Sequence, residues 1–201
     1  MSIPNVKIAN ENMQTAEVSI NFQRLDETQL VSYFVKPEHL ESVFREVIRR
    51  HQKTVYTYVR NMLLSHEDAD DVTQNVFIKI WQNLHTFRGE SKLSTWIYRI
   101  ASNETITHLR KVKPTIDFDE AQPEFADSLS TEPYLSSEAI ERKLQKALCY
   151  LPYKQKLVFV LRYFEDMSYD EISDLTQTSV GALKSSYHQA VQKIEIYLNV
   201  L

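Results

Sequence analysis

Aromatic and cationic side chains alternate along residues 87–111 in a pattern that suits single-stranded nucleic acid. Trp96 and Tyr98 precede Arg99, and Asn103 follows one helical turn later. Flat rings stack on unpaired bases while cations follow the phosphate backbone, so this combination could hold a melted strand. The alternative for Trp96 is a ring packed in a helical core, because large aromatic side chains mostly serve packing.

No group of residues has the spacing of an enzyme site. The six His and the single Cys149 show no metal-ligand spacing, and neither a Gly-rich phosphate loop nor a nucleophile motif occurs. Asp68, Asp70 and Asp71 could be imagined as a metal site, but hard cations need more oxygen ligands than one helical turn brings together. We therefore expect no catalytic residue, no metal and no cofactor.

The segment that begins at Ser65 predicts a helix with two functional faces. Ser65 is a good N-cap, and Asp68 occupies the capping-box position. At about 100° per residue one stripe is apolar and predicts burial: Ala69, Val72, Val76, Ile80 and Leu84. The opposite face combines polar with apolar side chains: Asp71, Gln74, Asn75, Ile78 and Gln82, flanked by Trp81. A merely solvated face is the alternative, but the two large apolar residues favour a binding surface.

The carboxyl third predicts a helix-turn-helix. A capping box, Ser168 to Glu171, opens a short helix, residues 177–179 turn the chain, and a long helix starts at Val180. Its apolar stripe predicts core packing: Val180, Leu183, Tyr187, Ala190, Val191, Ile194 and Leu198. The other side is polar: Lys184, Ser185, His188, Gln189 and Gln192, with Ser186 and Lys193 at the edges.

Composition predicts a helical, soluble chain. Only two Gly and six Pro occur in 201 residues, and no segment alternates cleanly enough for a sheet. A single Cys excludes an intramolecular disulfide, and the absence of a leader or a long apolar run predicts a cytoplasmic protein. The net charge of −4 is concentrated in residues 112–138, which carry seven acidic residues and one basic one. The flanking blocks are slightly positive, which permits contact with phosphate.

These patterns predict an all-α fold of two helical domains joined by a flexible acidic linker, the second domain containing the helix-turn-helix. We expect a disordered tail over 1–25, a first domain over 26–111, the linker over 112–136 and a second domain over 137–201. Within the first domain a short helix near 26–35 precedes a long one from Glu38, in which His51 is packed rather than a ligand. At about 3.3 Å per residue the linker could reach about 80 Å, enough for two separated DNA elements.

Two blocks together resemble the extracytoplasmic-function (group 4) bacterial sigma factors of the sigma-70 family. The helix from Asp68, followed by Phe87-Arg-Gly-Glu-Ser-Lys-Leu-Ser-Thr-Trp, resembles their region 2. Leu148-Cys-Tyr-Leu-Pro, Tyr169-Asp-Glu-Ile-Ser and Ser179-Val-Gly-Ala-Leu-Lys resemble their region 4. The resemblance implies an alternative sigma factor that binds core RNA polymerase and directs promoter recognition, melting and transcription initiation.

The resemblance also implies roles for individual residues. Core polymerase would be bound by Asp71, Gln74, Asn75, Ile78 and Trp81, although Glu is frequent in the family where Asn75 stands. The −10 element, including a flipped base, would be bound by Phe87, Arg88, Lys92, Leu93, Trp96, Arg99 and Asn103. The −35 element would be bound by Lys184, Ser185, Ser186, His188, Gln189 and Lys193. Because relatives commonly have Arg where Ser186 and Gln189 stand, we expect a weaker grip on phosphate.

The acidic linker has two interpretations. The linker is either a solvated spacer or, by resemblance, a strand in the polymerase cleft whose acids mimic nucleic acid: Asp117, Asp119, Glu120, Glu124 and Asp127. An anti-sigma factor, commonly membrane-anchored, is a further implied partner.

Two other functions are alternatives to a sigma factor. The chain could be an autonomous operator-binding regulator, or a helical interaction protein that binds no DNA.

Overall fold

The computed structural model describes residues 20–63, 65–112 and 137–200, and no strand occurs within these ranges. The α-helices, in chain order, are α1 (Glu27–Val31), α2 (Leu40–Leu63), α3 (His66–Asn83), α4 (Leu93–Val112), α5 (Ser137–Cys149), α6 (Tyr153–Phe159), α7 (Tyr169–Thr176) and α8 (Val180–Val200). Short 3₁₀ turns precede α1 and α2 and follow α3. The acids singled out in the linker lie outside the described residues.

The three long helices α2, α3 and α4 pack on one another and form the core of the first domain. The apolar stripe predicted for α3 is confirmed, because all five of its residues are buried. Ser65 caps α3 by accepting a hydrogen bond from the Asp68 N–H at 3.2 Å. The Asp68 carboxylate lies 3.2 Å from Nε2 of His108 on α4, so it faces the neighbouring helix.

Residues 20–25 differ from the predicted tail, because they fold against α2. The guanidinium of Arg50 donates to the carbonyls of Phe22 at 3.0 Å and Leu25 at 2.7 Å, and Glu46 pairs with Arg50. The Phe22 ring also meets Tyr33 edge to face at 5.3 Å. This polar, aperiodic segment has no core of its own, and the hydrogen bonds from Arg50 to its backbone carbonyls hold it on α2.

The second domain contains the helix-turn-helix that the sequence predicts. Ser168 and Glu171 form a reciprocal capping box at the start of α7. The turn after α7 begins at Gln177, whose φ of 55° places it in the left-handed region. Helix α8 buries Leu183, Ala190 and Ile194 against the domain core. One feature was not predicted: α6 continues into a single π-helical turn, Val160–Phe164.

The two domains are in contact. The π-helical turn packs on α2, and α7 packs on α4. Buried apolar side chains from both domains, such as Tyr58 and Ile97 with Leu161 and Ile172, form one continuous cluster. The Gln145 amide on α5 also donates to Asn61 Oδ1 on α2 at 2.8 Å. Among the described residues one apolar cluster therefore crosses the domain boundary, which the sequence did not predict, while a second cluster that includes Leu148 and Ile194 lies within the second domain.

Candidate functional site

The polar face of α3 is exposed, as its pattern predicts. Asp71, Gln74 and Asn75 are all exposed to solvent. Ile78 is 52% exposed and Trp81 is 40% exposed, values that are high for such large apolar side chains. These five residues are called the α3 patch below.

An apolar groove of about 630 Å³ runs between α2 and α3 beside the α3 patch. Three members of the patch, Gln74, Ile78 and Trp81, line it. The remaining lining residues lie outside the set that the sequence predicts: Glu41, Phe44, Ile48, Gln52, Thr73 and Phe77. The Trp81 ring lies 4.9 Å from that of Phe44. Phe44 shares the helical spacing of Leu40 and Val47 on α2, which predicts core packing, so the sequence gives little indication of its partial exposure.

The loop before α4 is shaped by Gly89, whose φ of 74° is costly for any residue with a side chain. Next to this loop is a cavity of about 470 Å³, called cavity A. Four of the residues predicted for the −10 element line it: Phe87, Arg88, Trp96 and Arg99. Other lining residues are Thr86, Glu90, Ser91, Asp174 and Gln177. The rings of Phe87 and Trp96 are 5.3 Å apart and tilted by 47°, so Trp96 serves packing as well as lining the cavity.

Leu93 is misplaced in the predicted DNA-binding set. It is the first residue of α4 and its side chain is fully buried, so it packs in the core and faces no ligand. Its N–H donates to Oε1 of Glu27 at 2.8 Å, which ties the start of α4 to α1. Phe87 is also 93% buried, and only its edge reaches cavity A. These two residues support the loop, whereas Arg88 and Lys92 project from it.

Asn103 does not join the other predicted residues. It lines a separate cavity of about 330 Å³, called cavity B, together with Ser102, Ile106, Arg110 and residues of the second domain. Helix α4 is fixed beneath it by a buried hydrogen bond of 2.6 Å between Ser102 and Tyr58. Burial raises the pKa of the Tyr58 hydroxyl, so that group stays neutral. The structure thus places four of the predicted −10 residues at cavity A and Asn103 at cavity B, whereas Lys92 and Leu93 line neither cavity.

The predicted −35 residues all lie on α8, away from its buried stripe. Lys184, Ser185, His188 and Gln189 are exposed, and Ser186 and Lys193 are half-buried at the edges, as the helical spacing predicts. The Gln189 amide oxygen accepts a hydrogen bond of 2.8 Å from Gln155 on α6. The Lys184 ammonium lies 5.7 Å from the centre of the Tyr169 ring.

Two protein-family models match the chain, one for each domain. The model of sigma-70 region 2 matches residues 47–115, and that of sigma-70 region 4 matches residues 141–194. The chain belongs to the sigma-70 family. Its curated relatives include the ECF RNA polymerase sigma factor SigW of Bacillus subtilis, 29% identical over 80% of this chain and 91% of the relative. The ECF sigma-E factor of Escherichia coli K12 is 28% identical, over 77% and 86% respectively.

Solved structures give the same fold. The sigma factor RpoE in complex with the anti-sigma factor NepR from Bartonella quintana has a TM-score of 0.64 and 20% identity, covering 78% of this chain and 97% of that one. CnrH in complex with the cytosolic domain of CnrY has a TM-score of 0.65 and 19% identity, covering 87% and 97%. These two structures, at 20% and 19% identity, show the fold alone. The family models and the curated relatives are what place the chain among the extracytoplasmic-function sigma factors, which act in transcription initiation.

Neither a cluster of metal-ligand side chains nor a membrane-spanning helix occurs among the described residues. No three His, Cys, Asp or Glu side chains there come together as a metal site would require. None of the helices described is long and apolar enough to span a bilayer.

Proposed function

We propose that the α3 patch and its groove are the surface by which this sigma factor docks on core RNA polymerase. The observation that carries the proposal is the exposure of Ile78 and Trp81 beside an apolar groove, on a helix whose other stripe already supplies the core. Apolar anchors ringed by polar side chains are the usual composition of an interface hot spot. Asp71, Gln74 and Asn75 supply that polar rim.

The −10 element is assigned to α4 and the loop before it. Arg88 and Lys92 are exposed cations of the loop, Arg99 is an exposed cation of α4, and the Trp96 ring helps to line cavity A. Cations with an aromatic platform suit a single strand, and a cavity suits an extruded base. Asn103 can donate and accept hydrogen bonds at cavity B, so it can meet a base edge there.

The −35 element is assigned to the exposed face of α8, the second helix of the helix-turn-helix. Gln189 can pair with adenine and Lys184 with guanine through the major groove. The domain limits follow these roles: 26–111 as the region 2 domain, 112–136 as linker and 137–201 as the region 4 domain.

The partners are core RNA polymerase, promoter DNA and an anti-sigma factor that covers these surfaces. The two similar solved structures, which pair RpoE with NepR and CnrH with the cytosolic domain of CnrY, support the last of these. The protein acts in the cytoplasm, where the polymerase is, and it catalyses no reaction by itself.

The docking role is tested with Asp71→Arg combined with Ile78→Glu. Both side chains are exposed, so the fold should persist, whereas loss of a hot spot should weaken binding to core polymerase by roughly 2 kcal/mol or more. Affinity is measured with purified core enzyme, and the thermal unfolding curve verifies the fold. Thr57→Lys gives the same net change of charge on an exposed part of α2 outside the groove lining, and it should bind normally. A double variant that folds and binds core normally would refute the assignment.

A further inference from the structure

Two cations, Arg60 on α2 and Lys156 on α6, lie close together at the boundary between the domains. Lys156 is 93% buried, and Nε and Nη1 of Arg60 are buried without a hydrogen-bond partner among the described residues. Neither cation forms an ion pair with a carboxylate in the part of the chain that the structure describes. Buried charges are costly unless an opposite charge or hydrogen bonds compensate them.

Cys149 on α5 lies near both cations, and as a thiolate it would supply a negative charge. Burial raises the pKa of this thiol, so it stays protonated and neutral at pH 7. Burial also lowers the pKa of the Lys156 ammonium to about 8, which still leaves most of its charge at pH 7. Among the described residues, the boundary therefore holds two cations and no counter-charge.

A pair of side-chain amides beside the cations leaves one donor and one acceptor unused. The Gln145 amide on α5 donates to Asn61 Oδ1 on α2 at 2.8 Å. The remaining atoms of the two amides, Nδ2 of Asn61 and Oε1 of Gln145, are buried and have no partner among the described residues. Asn61 directly follows Arg60 and is itself 97% buried. Gln145 lies one helical turn before Cys149, whose thiol donates to the Gln145 carbonyl at 3.5 Å. The amides and the cations therefore belong to one cluster.

We propose that Arg60, Asn61, Gln145 and Lys156 form a binding site for the phosphate dianion, hydrogenphosphate, between the two domains. These four residues are called the anion cluster below. Two cations match the charge of a dianion, and the N–H groups of Arg60, Asn61 and Lys156 are donors for its oxygens. The site is independent of the roles proposed above in binding DNA and polymerase.

The acceptor in the cluster gives the site its choice of anion. Oε1 of Gln145 can accept a hydrogen bond from the single hydroxyl of hydrogenphosphate. Sulfate has the same charge and shape but no hydrogen to donate, so it would leave this oxygen buried and unpaired. Adenosine monophosphate as a dianion also lacks that hydroxyl, and its nucleoside would have to enter a buried site. Sites reject close analogues when a buried polar group is left unpaired, so we expect free phosphate to be preferred.

The cluster combines residues of both domains. Arg60 and Asn61 come from α2, whereas Gln145 and Lys156 come from α5 and α6. The anion is therefore held only while the domains are in contact. By linkage, phosphate stabilises this arrangement, and whatever separates the domains releases phosphate.

The test uses the full-length protein in a phosphate-free buffer to which inorganic phosphate, sulfate, adenosine monophosphate or chloride is added at matched ionic strength. With about 10 mM phosphate we expect the thermal midpoint of unfolding to lie about 4 °C above that in chloride, as for a ligand bound at millimolar concentration. Sulfate and the nucleotide should give smaller shifts. Broadening of the phosphorus NMR line of phosphate by the protein measures binding without unfolding.

Lys156→Met and Arg60→Met each remove one cation of the anion cluster. Each should bind phosphate about tenfold more weakly, the usual effect of losing a hydrogen bond to a charged group. Lys53→Met makes the same change of charge at an exposed position of α2 and should bind like the wild type. Gln145→Met removes the acceptor, so phosphate and sulfate should then shift the thermal midpoint alike.

Three outcomes would overturn the site. The first is an equal rise of the thermal midpoint in the wild type and in both cation variants, which would indicate the general exclusion of such salts from protein surfaces. The second is a phosphorus line that the wild type leaves unbroadened. The third is tighter binding of adenosine monophosphate than of phosphate, which would assign the cluster to a nucleotide and not to the free anion.

Discussion

Arg88 and Asn103 lie at different cavities, each lined by residues of both domains, and in the proposed function each side chain hydrogen-bonds a base that has left the duplex. Arg88 projects from the loop at cavity A, and Asn103 projects from α4 at cavity B. In the proposed function both side chains meet the base only after it leaves the stack. Their contributions should therefore appear only after the promoter begins to open.

Arg88→Ala or Asn103→Ala should slow promoter opening more than it weakens initial binding. On a duplex promoter we expect a defect of roughly 1–3 kcal/mol in the opening step, the usual cost of losing a polar base contact. The rate is measured with purified holoenzyme and a fluorescent base near the −10 element. A pre-melted template should restore part of the rate.

Glu104→Gln is the matched control, because it changes the neighbour of Asn103 on α4 without touching either cavity lining. It should open the promoter at the wild-type rate. Equal defects on duplex and pre-melted templates would show that Arg88 and Asn103 act on binding in general and not on an extruded base.

At the scale of single elements, the sequence predicts most of what the structure shows. The α3 stripe, the Ser65 cap and the Ser168 capping box depend on residues three or four positions apart, and such local patterns are readable. The prediction that Leu93 binds DNA was wrong, because a resemblance to a family assigns residues to a loop without showing which side chains are buried. The π-helical turn after α6 leaves no comparable pattern in the sequence.

In the proposed function, one face of helix α8 provides both base recognition and phosphate contact. Gln189 is oriented by the hydrogen bond from Gln155 on the neighbouring helix, so its amide is held before DNA arrives. Lys193 is half-buried at the edge of this face, and the proposed function assigns it to a phosphate. The two side chains should therefore contribute to different properties of the complex.

Gln189→Ala should relax base preference at one position of the −35 element, whereas Lys193→Ala should lower the affinity for all −35 sequences alike. A library of −35 sequences, transcribed in vitro by each holoenzyme, measures both effects. Gln192→Ala, at another exposed position of α8, is the control and should leave the preference profile unchanged. A change at several positions with Gln189→Ala would indicate a structural role for that side chain.

At the scale of the whole molecule, the packing of one domain on the other could not be predicted from the sequence. The residues that meet, such as Lys92 with Glu171 and Asn61 with Gln145, are far apart in the chain and follow no periodicity. The predicted linker could equally allow the domains to stay apart. Only the structure shows that surfaces assigned to DNA are also surfaces between domains.

Because Lys156 is buried at this boundary, its contribution to the free energy of unfolding depends on pH. Desolvation lowers the pKa of its ammonium to about 8 from 10.5, and the nearby Arg60 adds to that effect, while Cys149 opposes it. Between these two pH values the unfolded chain holds more protons than the folded one, so the contribution of Lys156 to stability rises with pH across that window.

Lys156→Met should therefore stabilise the protein at pH 7 by roughly 2 kcal/mol, because Met fills a similar volume without a buried charge. The gain over wild type should shrink as pH rises from about 8 towards 10, where the wild-type lysine loses its proton. Urea unfolding of both proteins at several pH values measures the difference, which cancels other titrating groups. Lys53→Met, at an exposed position of α2, should show no such difference. A gain for Lys156→Met that stays constant with pH would mean that Lys156 is not held charged in a desolvated interface.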